Sequence, residues 1–155
     1  EIEEKKFRVD DAVAAVKAAL DEGIVPGGGV TFVNLSQAII IKGSDSESAG
    51  IQILKNALEK PFRILLENSG LNADEWLPQV KKAKPGQGVN VNNPAKLVDL
   101  KSAGVVDPAR VTKEAVLNAV SIAGTSMTMG ALVVDVPEKE SPAAGGGMPP
   151  GMMGM

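Results

Sequence analysis

Three consecutive glycines, Gly27-Gly28-Gly29, follow Pro26 and separate two segments that are each patterned as helices. Glycine without a Cβ lets backbone approach a ligand closely. A helix beginning just behind such a loop, here near Val30, offers free N–H groups and a positive dipole end to an anion. Upstream, residues 2–22 read as one long helix, with Val9, Val13, Val16 and Leu20 on a single stripe. Glu1, Glu3, Glu4 and Asp10 load its first half with negative charge, as the helix dipole favours, and Gly23 suits the C′ position. The carboxylates Asp10 and Asp11 stand about three turns before the loop, at 3.6 residues per turn. A placed carboxylate can orient or deprotonate a water. The loop lacks the Lys-Ser/Thr of a phosphate loop and the spacing of a dinucleotide fingerprint. On its residues alone it reads first as an interhelical turn, and Asp11 first as a solvated helix charge.

The remaining pattern is mostly helical. A helix is predicted over 30–41, apolar on most sides. Ser44-Asp45-Ser46-Glu47 has the capping-box spacing and opens a helix to about Leu58 with Ile51, Leu54 and Leu58 as its stripe. Pro61 suits the first turn of the next helix, in which Phe62, Leu65 and Leu66 face inward and Gly70 is the stop. Asn72 caps a short helix to about Lys82, which Pro78 should weaken or kink. Trp76 reads as a half-buried packing residue.

Turns are expected at 84–88 and 92–94. Val89-Asn90-Val91 alternates like a short strand, and 97–100 is ambiguous between strand and helical turn. Asp107 reads as an N-cap with Pro108 at N1, leading a helix to about Met127 with Val111, Ala115, Ala119 and Ile122 on one face. Asn90 and Asp107 are also candidate hydrogen-bonding partners for a ribose or base. The β-branched run 131–136 predicts a strand, and a lone strand needs a partner. Residues 138–155 hold five of the 17 glycines and four of the six methionines, a composition that predicts disorder.

Composition narrows the chemistry. The chain of 155 residues carries 16 basic and 19 acidic residues, net −3, without a basic cluster, so nucleic acid is not an expected partner. Without Cys or His there is no thiolate or imidazole metal site and no His-based triad, leaving Asp, Glu and Lys for acid–base work. No apolar run approaches a membrane span and no signal peptide opens the sequence, so a cytoplasmic protein is expected. The first residue is Glu1 rather than Met, which suggests a processed product or a fragment.

Several blocks occur together in a specific order. Phe7-Arg8-Val9-Asp10-Asp11-Ala12 precedes Glu22-Gly23-Ile24-Val25-Pro26-Gly27-Gly28-Gly29-Val30. Ala57-Leu58-Glu59-Lys60-Pro61, Gly88-Val89-Asn90, Ala103-Gly104-Val105-Val106-Asp107-Pro108, Val111-Thr112 and Ser121-Ile122-Ala123-Gly124 follow, and a Gly/Met tail closes the chain. This series resembles the carboxy-terminal third of group I chaperonins, the GroEL family. The resemblance implies a mainly α fold, the helical half of the equatorial domain, with a short β-hairpin or strand element. Its C-terminal strand would pair with another segment or chain. By the same likeness, 1–22 ends the intermediate domain, 23–137 is the second half of the equatorial ATP-binding domain, and 138–155 is the tail.

What the family does then becomes the expectation here: an ATP-dependent chaperone that folds non-native proteins in a homo-oligomeric double ring of seven-membered rings, with ATP and Mg²⁺ as cofactors. Asp11 resembles the carboxylate that positions the attacking water. Gly28 resembles a backbone contact to nucleotide. Asn90, with Val91 and Asn92, falls in the base- and ribose-binding turn, and Asp107 resembles the acidic residue that holds ribose and base. Metal and phosphate ligands are implied mostly outside these residues, as is the apical domain that binds co-chaperonin and client proteins. Pro26 and the turn Asn92-Asn93-Pro94-Ala95-Lys96 depart from the family pattern. Residues 1–155 alone are expected to lack ATPase activity, to bind ATP weakly or not at all, and to self-associate. The alternative is a helical oligomerisation module without chemistry.

Overall fold

The computed structural model describes residues 1–136; the tail expected to be disordered lies outside them. Six helices and four short strands follow in the order α1 (Ile2–Glu22), β1 (Ile24–Pro26), α2 (Val30–Ala38), α3 (Asp45–Leu58), α4 (Lys60–Asn68), α5 (Ala73–Lys82), β2 (Gln87–Val89), β3 (Leu97–Asp99), β4 (Val106–Pro108) and α6 (Ala109–Met127). The mainly helical architecture with short strand pairs is the one expected.

The core forms where α2, α4 and α5 meet the β2–β3 hairpin. Val30 and Val33 of α2, Phe62 and Leu66 of α4, Ala73, Leu77 and Val80 of α5, Val89 of β2 and Leu100 are all buried in one cluster. Each large aliphatic or aromatic side chain there contributes about 1.5–3 kcal/mol by leaving water. Trp76 packs half-buried against the same cluster. Local signals agree with this packing. The Ser44 side chain accepts the Glu47 N–H while the Glu47 carboxylate accepts the Ser44 N–H, completing the capping box. Pro61 sits in the first turn of α4, and Asn72 Oδ1 caps α5.

Other expectations are corrected. The second helix stops at Ala38, because Ile39 is extended (φ −71°, ψ 120°) at the head of a run of three β-branched isoleucines. Leu65 is solvent-exposed, so α4 turns only Phe62 and Leu66 inward. Pro78 lies inside an uninterrupted helix and is exposed, so its ring faces solvent. The strand near Asn90 is displaced: β2 ends at Val89 and pairs antiparallel with β3, Gly88 opposite Val98, which resolves 97–99 as strand. Asp107 does not cap α6. It lies in β4, opposite Val25 of β1, and Pro108 takes the N-cap position. Residues 131–136 form no strand and are exposed, since no described segment offers them a ladder.

Two long helices lie outside this core, α1 burying only Ala18 and α6 no residue. Val9, Val13, Val16 and Leu20 of α1 are all exposed. Both start or end at the β1–β4 ribbon. There the Ala109 N–H donates to Gly23 O (3.0 Å), Arg110 pairs with Asp21 (3.1 Å) and Lys113 with Glu22 (2.7 Å). Between α3 and α6 runs an open apolar groove of about 520 Å³, lined among others by Ile53, Leu54, Ala119, Val120 and Met127.

Candidate functional site

The glycine run is the link between ribbon and core. Strand β1 ends at Pro26, and the Gly27 N–H donates to Val105 O (2.9 Å), extending the β1–β4 pairing by one bond into the loop. Gly28 and Gly29 then adopt the left-handed conformation, φ +64° and +75°. At Gly29 the requirement is also steric, since a Cβ would lie 2.8 Å from both N and Cα of Phe62. At Gly28 a Cβ would meet Val105 Cγ1 and Leu100 Cδ1 only at ordinary contact distance, 3.9 and 4.0 Å. Gly28 is therefore held at the apex of the loop with bare, half-buried backbone, between a strand and a helix N-terminus.

Asp107 belongs to the same ribbon, two residues beyond the Val105 carbonyl that pins the loop. Its side chain is half-buried, and no described residue hydrogen-bonds to its carboxylate or forms an ion pair with it. Burial pushes that carboxyl above the usual carboxylate range. A carboxyl whose folded pKa is raised holds its proton more tightly when folded, so it favours unfolding above that pKa and the cost fades as pH falls through it. Asp107→Asn should leave thermal stability at pH 7 equal or slightly higher, and the difference should fade as pH falls through the raised pKa of the Asp107 carboxyl. A melting temperature several degrees lower at pH 7 for Asp107→Asn would contradict this.

Asn90 terminates β2. Its Oδ1 accepts the Asn92 N–H (3.1 Å) and its carbonyl accepts the Asn93 N–H (2.9 Å), an Asx-type turn that leaves the side-chain NH₂ free to donate. Val91 and Asn92 are exposed turn residues. No hydrogen bond joins this turn to the glycine loop, but both rest on one core, Val30 behind the loop and Val89 before the turn. Asp11 is not brought to these groups. It is exposed on α1, twelve positions before Gly23, which at 1.5 Å per residue is about 18 Å along the helix. Among the described residues no cluster of three or more Asp or Glu could hold a metal ion.

Sequence reasoning missed β1 and β4, and with them Val25 and Val105. Ile24-Val25 and Val105-Val106 are β-branched pairs that could have signalled strands, but three-residue strands are too short to show alternation. Thr31 was also missed; its hydroxyl donates to Pro26 O (2.6 Å).

Residues 1–137 match the model of the TCP-1/cpn60 chaperonin family. A crystal structure of a group III chaperonin in the open state superposes with a TM-score of 0.67 at 31% sequence identity, over 75% of this chain and 25% of that one. The chain thus spans about a quarter of the length of that chaperonin chain. No described helix is long and apolar enough to cross a membrane. With a family match running from the first residue through the glycine loop and Asp107 to the end of the described fold, the chain belongs to the TCP-1/cpn60 chaperonin family.

Proposed function

We propose that these residues form part of an ATP-hydrolysing chaperone and supply one wall of its nucleotide site. The observation that carries this is the β1–β4 ribbon, which places the bare backbone of Gly28 and the unpartnered carboxylate of Asp107 on adjoining segments. A carboxylate kept partly out of water and without a protein donor suits a pair of ribose hydroxyls, which can each donate a hydrogen bond to it. Gly28 offers close backbone approach next to the N-terminus of α2, where negative charge is favoured. Asn90, with its free NH₂, would contact the base or ribose, with Val91 and Asn92 beside it.

ATP with Mg²⁺ would supply the transferable phosphoryl group and the charge neutralisation. By the family resemblance, the ligands for Mg²⁺ would lie mostly outside these residues. Asp11 would orient the attacking water once α1 swings about its junction at Gly23, a rigid-body movement of a kind common in switching proteins.

The finer reading is a group I chaperonin. The order of the matched blocks and the Gly/Met tail support it. In that reading the intact protein is a cytoplasmic double ring of seven-membered rings that encloses non-native proteins with a co-chaperonin. The uncovered α3–α6 groove and the apolar segment 131–136 fit a chain whose surfaces meet other segments or subunits.

The test is ATP turnover and refolding of a denatured client by the full-length protein that carries these residues, set beside residues 1–155 alone. The full-length protein should hydrolyse ATP with Mg²⁺ and release folded client, and the shorter chain should do neither. A full-length protein that assembles but neither binds nor hydrolyses ATP would favour the oligomerisation module.

A further inference from the structure

We propose that Thr31 is a positioning residue that clamps the glycine loop and thereby sets where Gly28 meets a nucleotide. The inference rests on the nucleotide-site reading above. The loop is poorly held by its own backbone. Helix α2 has no side-chain N-cap bond, and the Val30 N–H to Gly27 O and Val33 N–H to Gly29 O bonds are both long, 3.3 Å. Outside contacts fix only its flanks, through Gly27 on Val105 and Gly29 against Phe62.

One bond closes the whole turn. Thr31 Oγ1, in the first turn of α2, donates to the carbonyl of Pro26, the last residue of β1, at 2.6 Å. It spans all three glycines. Both residues are half-buried, so water competes less for that carbonyl. Pro26 adds stiffness, since its ring fixes φ on the strand side of the clamp. Together they hold the two ends of the turn at a set separation, and Gly28, where even an added Cβ would meet only ordinary contacts, is confined through its neighbours.

Thr31→Val removes the hydroxyl and keeps the β-branched shape, while Thr31→Ser keeps the hydroxyl. Both are read in the full-length protein. Without nucleotide, hydrogen exchange at the Val30 amide, which donates to Gly27 O across the loop, should quicken about three- to tenfold in Thr31→Val, the range expected for one lost hydrogen bond, and return towards wild type in Thr31→Ser. In ATP hydrolysis the KM for ATP should rise by a similar factor with kcat within about twofold, again with rescue by serine. Unchanged exchange in Thr31→Val, or failure of serine to rescue, overturns the clamp. An unchanged KM in an active enzyme overturns its role towards nucleotide. If the wild-type protein turns over no ATP while exchange responds as stated, the clamp is supported and the nucleotide-site reading alone is lost.

Discussion

Gly29→Ala is expected to destabilise the fold by about 2–5 kcal/mol, the largest effect of any single methyl group in the loop. Two costs combine. A left-handed backbone costs an L-residue about 1–2 kcal/mol. The added Cβ would also sit 2.8 Å from two backbone atoms of Phe62, and overpacking of that kind costs about 1–3 kcal/mol. Neither neighbour can yield cheaply: Phe62 is buried at the centre of the core cluster, and its backbone lies in the first turn of α4. Gly28→Ala is the internal control. It has the same sign of φ but only ordinary contacts, so it should cost about 1–2 kcal/mol. Urea unfolding followed by circular dichroism at 222 nm distinguishes the two. Equal midpoints for Gly28→Ala and Gly29→Ala would show that the Phe62 contact carries no weight, and that the loop is set by backbone conformation alone.

That contrast also shows what could be read before the structure. The glycine run was legible as a tight turn before the helix that begins at Val30, but not as one that leaves a strand, β1. Its division of labour was not legible either, because the contact of Gly29 with Phe62 joins residues far apart in sequence. The same limit hid the ribbon. Ile24–Pro26 and Val106–Pro108 are separated by some eighty residues, and each strand takes its identity from the other. Asp107 was misplaced for that reason. Asp-Pro before a helical pattern is a sound local signal for a cap, yet pairing with Val25 carries the chain extended through Pro108. Local capping at Ser44 and Asn72 was legible because both partners lie within three residues. The stripes of α1 and α6 were legible as apolar but not as uncovered, since exposure depends on what else is present to cover them. The segment 131–136 is the same case: its composition favours a strand, but a strand is a relation between two segments.

Asp11→Ala, in the full-length protein, is expected to lower kcat for ATP hydrolysis by about 10²–10⁴-fold, the usual contribution of a placed acid–base group, with ATP affinity changed less than about twofold. The split follows from geometry. Asp11 lies about 18 Å along α1 from Gly23, by the rise of a helix, so in this arrangement it stands away from the proposed nucleotide wall at Gly28 and Asp107. On the proposed function its carboxylate acts only after α1 moves, and binding that precedes the movement should not register its loss. The anchoring at the base of α1 suits such a swing. Its ion pairs and its hydrogen bond to α6 are confined to the last residues, through Asp21–Arg110, Glu22–Lys113 and the Gly23 carbonyl. The exposed stripe of Val9, Val16 and Leu20 needs little unpacking, so the packing such a swing would have to break is the short alanine face around the buried Ala18. Asp10→Ala is the necessary comparison. The neighbouring residue points about 100° away around the helix, at 3.6 residues per turn, and should leave kcat within about twofold. Measured by steady-state hydrolysis with nucleotide binding followed separately, equal kcat values for wild type and Asp11→Ala would remove the carboxylate from the mechanism. Parallel losses for Asp10→Ala and Asp11→Ala would mean that the negative charge of this helix, and not a placed carboxylate, is what the protein uses.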